Sequence, residues 1–180
     1  IRIQSAVDIV KEVIAEKVDV GFILLFKKDS HIWPELPEEI VFHKLFESKP
    51  YIWLNKENPL SNNKSIQLKM LSAGPVIQDQ SSDQALYQYI FEEYFHLDLQ
   101  IVKAVNPKTM KNLVKENIAV CPDLKVQNSE LALATVFGAE ANIVALPLSA
   151  KDDYRLITGY VVKRAVNIDV EMQALFDLLI

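Results

Sequence analysis

Apolar residues recur along this chain with two different periods. Ala6, Ile9, Val10, Val13 and Ile14 fall at helical spacing, while Lys11, Glu12 and Glu16 face away. Ser5 and Asp8 stand three apart, a capping box with Asp in place of Glu, so the pattern predicts a helix starting at Ala6. Ile1 and Ile3, just before it, read as the end of a short strand. The run "VDVGFILLF" (18–26) is nearly continuous in apolar character, which predicts a parallel strand covered on both faces. A helix leading into such a strand is half of a βαβ unit.

Lys27 to Pro37 is polar, carries two prolines and predicts a loop. "EIVFHKLF" (39–46) and "YIWL" (51–54) predict strands, "SIQLKML" (65–71) a short helix and "PVIQ" (75–78) a strand. Ser81 and Gln84 mark a second capping box, ahead of a helix to about Leu97 whose apolar face is Leu86, Tyr89, Ile90 and Leu97. "LQIVKAV" (99–105) predicts a strand. Asn106 as N-cap and Pro107 at the first helical position open a helix to about Lys115. "IAVCP" (118–122) predicts a short buried strand stopped by Pro122. "SELALATVF" (129–137) fits helix and strand alike. "NIVALPL" and "YRLITGYVVKR" predict strands. Asn167, Asp169 and Glu171 start a closing helix that buries Val170, Ala174, Leu175 and Leu178. Strands alternating with helices predict an α/β fold with mostly parallel sheets. The polar patch inside "YIWLNKENPLSNNKSI" (51–66) reads as a surface loop or as a hinge between two lobes.

Composition narrows the function. With 180 residues, 50% of them hydrophobic and 24% charged, the chain can bury a core as one domain or two small lobes. The net charge of −5 shows no basic excess, so any DNA contact belongs to another part of a longer protein. The chain starts with Ile1 and reads as a fragment. The single cysteine, Cys121, excludes an intrachain disulfide and a Cys-rich zinc site, and it reads as a small buried apolar residue. No apolar run reaches membrane-spanning length. There is no Gly-rich phosphate loop, no GxSxG and no HExxH. His31, His43 and His96 lie far apart, and no cofactor or metal is expected.

The candidate chemistry is positional. In open α/β sheets, ligands collect beyond the carboxyl ends of strands. Two helix starts follow strands directly: "QDQSSDQ" (78–84), with Gln78, Ser81 and Ser82, and "NPKTM" (106–110), with Asn106 and Thr109. Their free backbone N–H groups suit a carboxylate or a phosphate. The alternative is that these side chains only cap their own helices. Phe26, Lys27 and Lys28 also end a strand, and the lysines meet an anion or are simply solvated. Tyr51, Trp33 and Trp53 line a pocket or pack a core.

Several segments, in order, resemble the effector-binding domain of LysR-type transcriptional regulators. "EVIAEKVDVGFIL" is similar to that family's helix followed by a "x-V/L-D-x-A/G-I" strand. "PYIWLNKENPLSNNKSIQLKML" resembles its strand, "HPLA" and short-helix segment, with "NPLS" in place of "HPLA". "PVIQDQSS", "KTMKNLVKENIAVCPD" and "VALPLSAKDDYRLITGYVVKR" resemble the segments that follow. The likeness extends over most of the chain.

The resemblance implies a type 2 periplasmic-binding-protein fold: two Rossmann-like lobes with mostly parallel sheets, joined by a two-strand hinge. It implies that 1–56 and 150–180 form lobe I and 57–149 lobe II, with the hinge at Leu54, Asn55, Asn58 and Pro59 and a recrossing near 143–160. It also implies a small-molecule effector, anionic ones included, held between the lobes by Gln78, Ser81, Ser82, Asn106, Thr109, Phe26 and Lys27. A cytoplasmic, non-enzymatic sensor is expected, assembled as a homodimer or homotetramer and touching DNA only through a winged helix-turn-helix outside this chain. Two departures stand out. The family's first strand and helix are not matched, and "KEN" (115–117) replaces a small-residue "AGxG" loop. A solute-binding or enzymatic domain on the same fold is the alternative.

Overall fold

The computed structural model describes residues 5–79, 84–104, 106–123 and 140–164. Ser5 caps helix α1 (Ala6–Ile14): its hydroxyl accepts from the Asp8 amide at 3.2 Å and donates to the Asp8 carboxylate at 2.7 Å. Ala6, Val10 and Val13 are buried, as their spacing predicts. The strands in chain order are β1 (Val20–Lys28), β2 (His31–Trp33), β3 (Ile40–Ser48), β4 (Tyr51–Asn55), β5 (Val76–Asp79), β6 (Ile101–Ala104), β7 (Cys121–Asp123), β8 (Ile143–Pro147) and β9 (Arg155–Lys163). The expected loop 27–37 therefore holds the end of β1 and all of β2, joined by a turn in which Asp29 takes a φ of 53°.

The first sheet has the order β2-β1-β9-β3, and each of its pairings is antiparallel. This corrects the expectation of a parallel strand at 18–26. The apolar run reports burial, not the direction of its neighbours. Ile23 and Leu25 lie under α1, while Leu24 and Phe26 turn to a core on the other face. β9 then returns from far along the chain in the opposite direction, with Leu24 beside Thr158 and Phe26 beside Leu156. Gly159 is required here: a Cβ would collide with the His43 carbonyl and the Phe42 ring on β3.

The second sheet is mixed. β7-β4-β8 pair antiparallel, β5 and β6 pair parallel, and a parallel bridge between Val76 and Val120 ties the two parts together. Pro122 does not stop its strand. It sits inside β7 opposite Ile52. Helices cover both faces. Ile52, Leu54 and Val76 pack with Leu86, Ile90 and Phe91 from α2 (Gln84–Gln88) and the π-helical turn Tyr89–Tyr94 that continues it. Ile77, Cys121 and partly buried Trp53 pack with Met110 and Val114 from α3 (Pro107–Lys115). The expected helix to Leu97 thus widens at Tyr89 and ends by Tyr94. Short 3-10 turns at Pro59–Asn62 and Leu68–Ala73 fill the connection between β4 and β5.

The chain leaves the first sheet at Ser48 and enters the second at Tyr51. It returns between Pro147 and Arg155. The first crossing is therefore Lys49–Pro50, ahead of the expected hinge at Leu54, Asn55, Asn58 and Pro59. Those four residues lie at the other end of β4, because YIWL belongs to the second sheet and not to the crossing. The expected strand at 1–3, the segment 129–137 and the closing helix from Asn167 lie outside the described residues.

Candidate functional site

The parallel pair β5–β6 brings two chain ends to one edge. Asp79 stands beside Ala104 in register, and α2 and α3 are the next helices in sequence after each strand. Gln78, one residue earlier, is buried, at 6% exposure. It opens into a hollow of about 250 Å³ between β5–β6 and α2, lined also by Gln84, Tyr87, Gln88, Phe91 and Lys103. The Tyr87 hydroxyl donates to the Ile77 carbonyl at 3.3 Å. Burial, then the neighbouring Cys121 and Tyr154, pushes its phenol well above the ordinary range, so it stays a neutral donor.

Asn106 and Thr109 sit on this edge but are engaged in the helix start. The Asn106 side-chain oxygen accepts from the Thr109 amide at 2.9 Å and from the Thr109 hydroxyl at 3.2 Å. Capping by itself accounts for both residues. Ser81 and Ser82 lie outside the described residues.

Phe26 and Lys27 end β1 in the first sheet. Phe26 has 0% exposure and presents no surface to a ligand. Its ring meets Tyr94 at 4.8 Å, Tyr154 at 5.2 Å and Tyr89 at 5.8 Å between centroids. Tyr89 and Tyr94 belong to the π-helical turn over the second sheet, and Tyr154 to the return crossing. An aromatic cluster therefore bridges the two sheets. β2 adds His31, which hydrogen-bonds to the Tyr89 hydroxyl, and Trp33, whose indole stacks on Tyr89 at 4.5 Å and 11°. Lys27 points to the opposite face, where its charge helps Lys44 hold the Glu47 carboxyl below the ordinary glutamate range; the Lys44 hydrogen bond is the larger cause.

Sequence reasoning missed the members of this cluster as a set. The signal was present in "YQYIFEEYFH" (87–96), five aromatic residues and a histidine in ten positions. An apolar helix face explained Tyr89 adequately, so the excess went unread. Of the remaining histidines, His43 stacks on Tyr160 at 4.7 Å, and His96 is exposed and takes a φ of 53° just past the π-helical turn.

The expected hinge residues form a second hollow at the far end of β4. Asn55 is buried; it donates to the Lys115 carbonyl at 2.5 Å and accepts from the Glu57 amide at 2.8 Å. Asn58 accepts from the Leu60 amide and donates to the Asn117 side chain at 2.9 Å. Asn117 has a φ of 54° and closes α3, so Asn meets a left-handed requirement that a small residue would otherwise fill. Asn58, Asn117, Ile118, Leu71 and Gly74 are among the residues around a hollow of about 320 Å³. No residue of either crossing lines it. Among the described residues, no group of three His, Cys, Asp or Glu side chains could hold a metal ion, and no helix is long and apolar enough to cross a membrane.

No protein-family model and no curated protein matches this sequence. Solved structures do match. The effector-binding domain of QuiR in complex with shikimate is 16% identical with a TM-score of 0.62, over 96% of this chain and 75% of that one. The regulatory domain of MetR, a LysR family regulator from N. meningitidis, is 12% identical with a TM-score of 0.71, over 94% and 72%. HinK, a LysR family transcriptional regulator from Pseudomonas aeruginosa, is 13% identical with a TM-score of 0.62, over 98% of this chain and 57% of its own length. The α/β fold of this chain is thus the fold of LysR-type regulatory domains. Its sheets are mostly antiparallel, in place of two clearly parallel lobes.

Proposed function

We propose that this chain is the effector-sensing regulatory domain of a LysR-type transcriptional regulator. The observation that carries the reading is the fold match over nearly the whole chain, together with two sheets linked by two crossings. On this reading each sheet is the core of one lobe, and the lobes move about Lys49–Pro50 and 148–154. A small molecule bound between them favours one lobe arrangement, and the difference in affinity between arrangements is what the full protein transmits. The domain senses and does not catalyse. It works in the cytoplasm as a dimer or tetramer, and DNA is contacted by a winged helix-turn-helix elsewhere in the protein. Gln78, which opens into the hollow beside α2, supplies a polar contact from the second lobe.

Shikimate, the ligand of the QuiR domain, is the first compound to test, followed by a panel of small carboxylates and planar aromatics. Binding at tenfold excess over Kd raises stability by about 1.4 kcal/mol, read as a shift in thermal unfolding. Gln78→Leu should abolish that shift while the protein stays folded. A shift that survives Gln78→Leu unchanged places the ligand elsewhere. The alternative, a solute-binding or enzymatic domain on the same fold, predicts no helix-turn-helix encoded upstream.

A further inference from the structure

Trp33 ends β2, in register with Phe26. Besides the parallel stack of its indole on Tyr89, the same short strand lays His31 over Tyr94 at 5.2 Å and 28°. Three register pairs and a two-residue turn hold β2 to β1, and its middle residue Ile32 is 41% exposed. A lightly held strand of the first sheet therefore places two rings on a helical turn that belongs to the second. Parallel stacking at this separation is also how a planar ligand would lie on Tyr89.

We propose that Trp33 is a built-in occupant of a stacking site on Tyr89, and that the external ligand of this site is a planar aromatic compound, neutral or cationic, that takes the place of the indole. The inference rests on the sensor reading and specifies its ligand class. Displacing Trp33 removes one of the two ties of β2 to the π-helical turn, leaving His31 as the other, and so loosens the two sheets at that contact. The charges around the ring set the sign. Glu93 and Glu35 both act on Tyr89, and burial, Tyr94 and these two carboxylates together raise its phenol above the ordinary range. The same carboxylates oppose an anion and favour a cation against the ring face. Lys28, also nearby, has its ammonium held by the carbonyls of Lys151 and Asp153, each at 3.1 Å.

Calorimetric titrations with tryptamine, indole, indole-3-carboxylate and the non-planar cyclohexylethylamine test the proposal. The wild-type chain, Trp33→Leu, Trp33→Ala and Trp33→Leu/Tyr89→Leu are compared, each first checked for a cooperative melt. Trp33→Leu keeps an apolar cover on the site while removing the stack. Tryptamine and indole should bind more tightly than indole-3-carboxylate. Trp33→Leu and Trp33→Ala should bind them about tenfold more tightly than wild type, as expected when an internal competitor is removed. The double variant should lose that gain. Unchanged or weaker binding by both single variants overturns the proposal, as does cyclohexylethylamine binding as well as tryptamine, or the carboxylate binding best. Tighter aromatic binding with no change in lobe separation would sink the sensor reading alone. Lobe movement driven by a non-aromatic ligand and indifferent to Trp33→Leu would sink this inference alone.

Discussion

The two sheets bury similar strands in different ways. Among the described residues, the first pairs only antiparallel and carries α1 on one face, while its other face runs from the buried Phe26 to the half-exposed Phe22. The second is mixed, is covered by helices on both faces, and alone has a parallel pair whose ends open into helix starts at one edge. The polar candidates Gln78 and Asn106 therefore lie on the second sheet, while the aromatic cluster draws Phe26, His31 and Trp33 from the first and Tyr89 and Tyr94 from the turn over the second. The contact between them, Phe26 with Tyr89 and Tyr94, belongs to neither sheet alone.

The largest test of that division is Phe26→Ala. Phe26 is fully buried and shared by both sheets, so its loss should destabilise the domain by about 3–5 kcal/mol in urea unfolding. It should also separate the unfolding of the two halves, visible as non-coincident transitions for Trp33 and Trp53, one on each sheet. A single coincident transition would show that the halves are joined by more than this cluster. Next in size is Gly159→Ala, which forces a methyl against the β3 backbone and should cost about 1–3 kcal/mol. Gly74→Ala, extended at φ −170° with open space around the added carbon, should stay within about 0.5 kcal/mol of wild type. Equal losses at the two glycines would contradict the packing described for the first sheet.

Asn106→Ala removes the α3 cap and should cost about 1 kcal/mol. If Asn106 only caps, ligand affinity stays unchanged in the same variant. The smallest effect concerns pH. The hydrogen bond from Lys111 is the main cause holding the Glu140 carboxyl below the ordinary glutamate range, with smaller help from the charge of Lys111 and from Lys115. A depressed folded-state pKa stabilises the protein above the unfolded value and loses that contribution as pH falls below about 4. Lys111→Met should lower the neutral plateau of a stability–pH profile slightly and so flatten its acid limb, leaving stability at the acid end unchanged. An unchanged acid limb would remove this pair from the account.

Much of the local structure was legible because local chemistry decides it. Ser5, Asn106 and Pro107 marked helix starts, and the apolar runs marked β1, β3, β4, β5, β8 and β9 within a few residues. Strand direction was not legible, since Leu24 and Ile23 look alike to a parallel or an antiparallel neighbour. β2 was hidden because His31, Ile32 and Trp33 sit between polar turns and prolines, and only their pairing with Phe26 to Lys28 makes them a strand. The crossing was misplaced by half a strand: the polar "NKEN" patch is conspicuous, while Lys49–Pro50 offers only one proline as a sign. Of the candidate site, Gln78 falls on a hollow, Asn106 and Thr109 are occupied as caps, and the rings of Tyr89 and Tyr94 became a site only through a sheet that lies more than forty residues away in sequence.

On the sensor reading, two lobes move about two crossings in response to a small molecule. Spin labels at exposed Lys17 on the first lobe and exposed Lys108 on the second report it directly, with Cys121 too buried to react. Pulsed dipolar spectroscopy across the panel of small carboxylates and planar aromatic amines should show at least one saturable compound that shifts or narrows the distance distribution. A distribution identical with and without every compound that measurably binds would contradict the account.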